Sequence, residues 1–260
     1  MCESSEMGDY INAVLTPNFR KRNQDIITQL PLPTTVVDFW RLITQMKVSL
    51  VVAFDEELQA IDSTIGEYLP ISDKEKASFP PFQVCMGTLH QGSDWEERKL
   101  IVNGSMFCLI ETFIKGAEEH SLIHLRYTHN ATDPKKLLSF LKHARTSNSE
   151  QEARVLYMCR NGATYSGLAC VLTLLLDRMD NDHRLTVPLV VGAIKTIRPQ
   201  VIPTVEQYKV LYQVLHRYNE TNSIYSNFND AKLSVRSNDD GKDKSGNVGN
   251  EGTEYANAKF

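Results

Sequence analysis

Between Arg154 and Leu176 the chain passes from a short apolar run, through the loop Cys159-Arg160-Asn161-Gly162-Ala163-Thr164-Tyr165-Ser166-Gly167, directly into a second apolar run, Leu168 to Leu176. A short β-rich run, a glycine loop and a long apolar stretch read as a buried strand that turns into a helix. Such a strand belongs inside an α/β sheet that is covered on both faces. The helix N-terminus offers a ring of free backbone N–H groups, and Cys159 sits beside them, where a thiolate is stabilised. An ordinary strand-to-helix turn has the same outline, so the rest of the chain must decide between the two.

The chain alternates apolar strands with amphipathic helices. Ser49 to Phe54, Phe107 to Ile114, Leu122 to Tyr127 and Arg154 to Met158 are short, apolar and rich in β-formers. Thr35 to Met46, Asp133 to Thr146, Ser166 to Asp177, Thr186 to Ile197 and Thr204 to Tyr218 read as helices, several opening on a Thr or Asp cap. The polar spans Glu56 to Ser78 and Gln91 to Lys99 read as surface loops. From Asn219 onward Asn, Asp, Ser, Lys and Gly dominate, so residues 219 to 260 are expected to form a disordered polar tail.

The loop resembles the phosphate-binding loop of protein tyrosine phosphatases, His-Cys-x5-Arg-Ser/Thr-Gly. Cys159, Gly162, Ser166 and Gly167 match it, whereas Met158 stands at the histidine position and Tyr165 at the arginine position. Asp9-Tyr10-Ile11-Asn12-Ala13, Thr28-Gln29-Leu30-Pro31-Leu32-Pro33 and Val37-Asp38-Phe39-Trp40-Arg41-Leu42 resemble the same family, as do Arg198-Pro199, Thr204 and Glu206-Gln207-Tyr208 near the end. These blocks keep the family order over residues 9 to 218. The resemblance is greatest to the second, membrane-distal domain of receptor-type enzymes, which is commonly degenerate. It implies an α/β fold, a twisted mixed sheet flanked by helices. It also implies an N-terminally shortened domain, because the family's Asn-Arg-Tyr segment would lie upstream of Tyr10 and only Met1 to Gly8 precede Asp9.

In such a site the cysteine attacks phosphorus and the arginine fork stabilises the transition-state charge. A tyrosine at the fork carries no charge and is bulky enough to fill the anion site. Losing one preorganised donor costs about 3–4 kcal/mol, and a charged bidentate group more. The family's acid loop, Trp-Pro-Asp, aligns by order with Asn130-Ala131-Thr132 and keeps none of its residues. Asp133 is better read as the cap of a helix with Pro134 at its first position. The glutamine that positions water is Pro203, while Thr204 and Gln207 form a capping box for the last helix. The expectation is a pseudophosphatase: a catalytically inactive regulatory or docking module. The rival is a residual phosphatase that uses Cys159 with Arg160 as substitute cation, or a redox-sensing Cys159.

Composition excludes other classes. A net charge of −4 over 260 residues is too near neutral for nucleic-acid binding. There is no signal peptide and no apolar run long enough to span a bilayer. The five cysteines have neither paired nor metal-like spacing, and the seven histidines are dispersed, with His124 and His129 flanking a strand end and the other five, His90, His120, His143, His183 and His216, forming no i, i+4 pair among themselves, so neither a metal nor another cofactor is expected. Three Asn-x-Ser/Thr tripeptides, at Asn103, Asn130 and Asn219, are chance matches in a cytoplasmic domain. The expected setting is cytoplasmic, as the intracellular part of a plasma-membrane receptor. Tyr225-Ser226-Asn227 and Tyr255-Ala256-Asn257 each read Tyr-x-Asn, the form of phosphotyrosine ligand that adaptor SH2 domains prefer. The expected partners are therefore SH2 adaptors or a catalytic phosphatase domain.

Overall fold

The computed structural model describes residues 10–18, 24–54, 64–71, 75–104, 118–129, 131–147, 154–181 and 186–237. They divide into two units, Met1–Tyr218 and Asn219–Phe260. The first unit holds an eight-stranded mixed sheet in the order β1-β2-β8-β3-β7-β6-β5-β4. Its strands are β1 (Ala13–Thr16), β2 (Asp25–Gln29), β3 (Val48–Phe54), β4 (Lys76–Phe79), β5 (Phe82–Gln91), β6 (Trp95–Gly104), β7 (Glu118–Tyr127) and β8 (Arg154–Cys159). β2, β8, β3 and β7 run parallel, and the strands on either side of them pair antiparallel.

The parallel centre is mostly apolar on both faces, as two-sided burial demands, with Asp25, Thr28 and His124 as buried polar exceptions. Alternate residues of β8 and β3 enter separate cores. Tyr157, Cys159, Val52 and Phe54 join helices α2 (Pro134–Ser147), α3 (Thr164–Asn181), α4 (Val187–Ile197) and the first turns of α5 (Val205–Ser237). Leu156, Met158, Val51 and Ala53 join α1 (Val36–Gln45), whose Phe39, Trp40 and Ile43 are buried, together with Val84, Leu100 and Val102 of β5 and β6. β8 lies between β2 and β3, so its C-terminal end, which carries Cys159, opens at the middle of the sheet with α3 leading away from it.

Three sequence expectations are corrected. Gln91 to Lys99 is not a surface loop: Trp95 to Lys99 begin β6, which pairs with β7 throughout its length. Its polar residues are neutralised by neighbours that only the fold supplies. Glu96 bonds Arg98 at 2.9 Å and Arg126 at 3.5 Å, and the buried Glu97 bonds His143 of α2 at 2.7 Å. Lys76 to Ser78, also read as loop, belong to β4. The last helix does not stop at Tyr218; its backbone continues to Ser237, so residues 219–237 of the expected tail are helical. The strand expected over Phe107 to Ile114 lies outside the described residues.

Candidate functional site

The loop after β8 is shaped by the carbonyl of Cys159, which accepts from Leu30 N at 2.9 Å and from Gly162 N at 3.1 Å. This reverses the chain within three residues and brings Gly162 to φ +64°. A Cβ there would lie 2.5 Å from Gln29 N and 2.8 Å from an Arg198 guanidinium nitrogen, so only glycine fits. Arg198 braces the loop from behind: its Nε donates to Gly162 O at 2.9 Å and its Nη1 to Asn12 Oδ1 at 2.6 Å. Asn12 in turn donates to Gln29 Oε1. Gly167 packs where a Cβ would lie 2.5 Å from Val201, which lets α3 approach the segment after α4.

The first amides of α3 are bonded within the loop itself. Asn161 Oδ1 accepts from the backbone N–H of Ala163 at 3.1 Å and of Thr164 at 3.0 Å, and from Cys159 Sγ at 3.3 Å. Asn161 Nδ2 donates to Thr164 Oγ1 at 2.7 Å. The carboxamide thus takes amides that a helix N-terminus would otherwise present to an anion. Cys159 is 1% exposed, with its sulfur 3.1 Å from Ser166 Oγ. Tyr165, at the fork position, packs against the α3-side core, its ring stacked on Phe54 at 6.4 Å. Met158, at the histidine position, is fully buried on the opposite face. Arg160 is exposed. The neighbouring thiol of Cys170 is pushed up to about 12 by burial, despite the 3.6 Å contact with Thr16 Oγ1.

The segment that the sequence aligns by order with the acid loop is anchored in the core at one residue. Ala131 is fully buried in the α2–α3 core, and Asn130 lies outside the described residues. Asp133 is a helix cap, its Oδ1 accepting from Lys135 N at 2.9 Å and Lys136 N at 3.2 Å. The segment is tied to the β5–β6 hairpin: Thr128 N donates to Asp94 O, His129 Nε2 to Ser93 O at 2.9 Å, and Lys136 lies 3.9 Å from the Asp94 carboxylate. At the start of α5, Thr204 Oγ1 accepts from Gln207 N at 3.2 Å, as one half of a capping box. The reciprocal half is not made, because Gln207 Oε1 is buried without a hydrogen-bond partner. Ile202, before Pro203, is held at φ +51°.

The fold therefore brings Cys159, Gly162, Tyr165, Ser166 and Gly167 together, with Arg198 behind them, and leaves Asp133 in a cap. Sequence reasoning missed Asn161; an Asn three residues before the first helical residue, followed by Gly, is the signal that could have found it. Of the docking candidates, Tyr255 and Asn257 lie outside the described residues, and the backbone at Tyr225 and Asn227 is helical. Among the described residues no His, Cys, Asp and Glu cluster could hold a metal ion, and no helix is long and apolar enough to cross a membrane.

The protein-tyrosine phosphatase family model matches residues 1–217. Among curated proteins, the chain is 26% identical over 219 residues to receptor-type tyrosine-protein phosphatase zeta of Homo sapiens, covering 82% of this chain and 9% of that protein. It is 26% identical over 216 residues to the human receptor-type epsilon protein, covering 81% of this chain and 30% of that one. To the human receptor-type alpha protein it is 25% identical over 234 residues, covering 86% and 27%. The chain thus spans under a third of the length of these relatives.

Proposed function

The chain belongs to the protein-tyrosine phosphatase family, and from that premise we propose that it is a catalytically inactive member, a regulatory or docking module in phosphotyrosine signalling. The observation that carries this reading is Tyr165. At the position of the phosphate-gripping arginine stands an uncharged side chain whose ring is packed on Phe54 and committed to the core. Phosphoryl transfer depends on positioning and on charge stabilisation, so a site without its cationic fork loses the larger part of its catalysis. Asn161 adds to this by holding the amides of Ala163 and Thr164. With Ala131 in the core and Pro203 lacking an amide side chain, neither a general acid nor a water-positioning group stands at the family position.

Arg160 does not replace the fork in this reading. It directly follows Cys159, is exposed, and lies at the start of the turn, whereas position 165 lies in the first turn of α3. The module's partners in this proposal are a catalytic phosphatase domain or SH2 adaptors, reached through its surface or its Tyr255 segment. The helical backbone at Tyr225 makes that second motif the lesser candidate, since such ligands bind as extended or turn segments.

Calorimetry with orthovanadate and with a phosphotyrosine peptide, alongside aryl-phosphate turnover, tests the proposal on the wild-type chain and on Tyr165→Arg. The wild type is expected neither to turn over nor to bind vanadate, and the variant to gain vanadate affinity by at least about tenfold, as one charge-assisted bidentate contact allows. Hydrolysis by the wild type above the level of Cys159→Ser would overturn it.

A further inference from the structure

Asn161 is arranged as more than a filler of the loop. We propose that Asn161 is a self-modification site, converted to aspartate with its own backbone as nucleophile and water as co-reactant. Attack on an amide carbon develops negative charge on the amide oxygen, and preorganised donors around that oxygen lower the barrier. Asn161 Oδ1 has such donors in Ala163 N–H, Thr164 N–H and the Cys159 thiol, at 3.1, 3.0 and 3.3 Å. Its leaving nitrogen rests 2.7 Å from the Thr164 hydroxyl. The following residue is Gly162, which is buried but adds no Cβ beside its own backbone nitrogen, and Asn161 itself is exposed to water and hydroxide.

The step balances without any redox partner. Gly162 N gives up its proton to solvent and bonds to Asn161 Cγ. The Cγ–Nδ2 bond breaks, and Nδ2 leaves as ammonia after taking a proton from solvent. Water then opens the cyclic imide to aspartate or its β-linked isomer. The Gly162 N–H bond to Cys159 O, 3.1 Å, has to open first. The product favours the site: a carboxylate takes the same amide donors through charge-assisted bonds about twice as strong as neutral ones, at a helix N-terminus that prefers negative charge. Conversion would seat a permanent anion where the loop now holds an amide.

The chain carries its own reference in Asn103-Gly104, the same dipeptide held in the β5–β6–β7 ladder. The folded full chain is incubated at mildly alkaline pH, digested and mapped by mass, with a urea-unfolded sample in parallel. Asn161 is expected to convert about tenfold faster than Asn103 in the folded chain, as oxyanion donors imply, and at an equal rate in urea. An Asn161 rate at or below that of Asn103 in the folded chain overturns the proposal. Asn161→Asp supplies the second arm. It should melt higher than wild type at pH 7 and lose that advantage as pH falls through the carboxylate range; a lower melting temperature at pH 7 also overturns it. Neither arm reads phosphate hydrolysis, so these outcomes stand apart from the loss of turnover proposed above.

Discussion

Alanine at position 162 would set a methyl group 2.5 Å from Gln29 N and 2.8 Å from the Thr28 carbonyl carbon, on a backbone at φ +64°. Both obstacles are backbone atoms of β2, which cannot move without disturbing its pairing with β8. Gly162→Ala should therefore destabilise the fold by roughly 2–3 kcal/mol, from left-handed strain and steric clash together. Urea unfolding of the variant against wild type checks this, and a loss under about 0.5 kcal/mol, the range of an ordinary surface change, would count against it. The glycine is thus required by the backbone, whatever the loop's chemistry. Tyr165 and Asn161 differ from it. One side chain stacks on Phe54 and the other accepts from the first amides of α3, so both hold the loop through contacts within the chain.

Helices α2 and α3 and the beginning of α5 are clasped at Arg145. Its Nε and Nη2 donate to Asp177 at 3.0 and 2.7 Å, Nη2 reaches Asp180, and Nη1 donates to Tyr218 OH at 3.3 Å. Tyr218 OH closes the ring by donating to Asp180 at 2.7 Å, and Lys142 lies over the same aromatic ring. Arg145 and Asp177 expose only 11% and 6% of their side chains, so the pair is largely desolvated. Removing the guanidinium would leave Asp177 buried beside fewer donors, and Arg145→Ala is expected to cost about 3 kcal/mol. Arg145→Lys should recover little of this, since an ammonium cannot reproduce the fork. Thermal melts of both variants decide it: full rescue by lysine would show that charge alone matters. On the other side of α2, His143 stacks on Trp95 at 3.9 Å and meets Glu97, so the same helix also secures the polar start of β6.

For the molecule as a whole, acid stability should depend on one buried imidazole. His124 in β7 faces Tyr68 OH at 3.1 Å, and its Nδ1 has no hydrogen-bond partner. Burial first, then the charges of Arg98 and Arg126, bring it down to about 3. The unfolded chain binds this proton near the ordinary value of about 6.5 and the folded chain does not, so the unfolded state gains protons as pH falls. The contribution is complete above the unfolded value and is lost downward from there at about 1.4 kcal/mol per pH unit. Between pH 7 and 5 the unfolding free energy of His124→Gln should fall by roughly 2 kcal/mol less than that of wild type. Equal losses would show that His124 is not the group responsible. The α/β class was legible in the sequence, because β3 and β8 are apolar apart from Ser49 and Arg154 and the helices carry their own periodicity, with a side-chain cap at Asp133. The family was legible too, in sequence blocks that keep its order over residues 9 to 218. β6 was not, since Glu96, Glu97 and Arg98 make a strand only once β7 and α2 supply their counter-charges. Nor was the state of the loop. Sequence alone placed an amide beside a cysteine and a tyrosine where an arginine would stand. The tertiary structure decided that Asn161 accepts from the helix amides and that Tyr165 packs on Phe54, because hydrogen-bond and ring contacts depend on distances that sequence order does not fix.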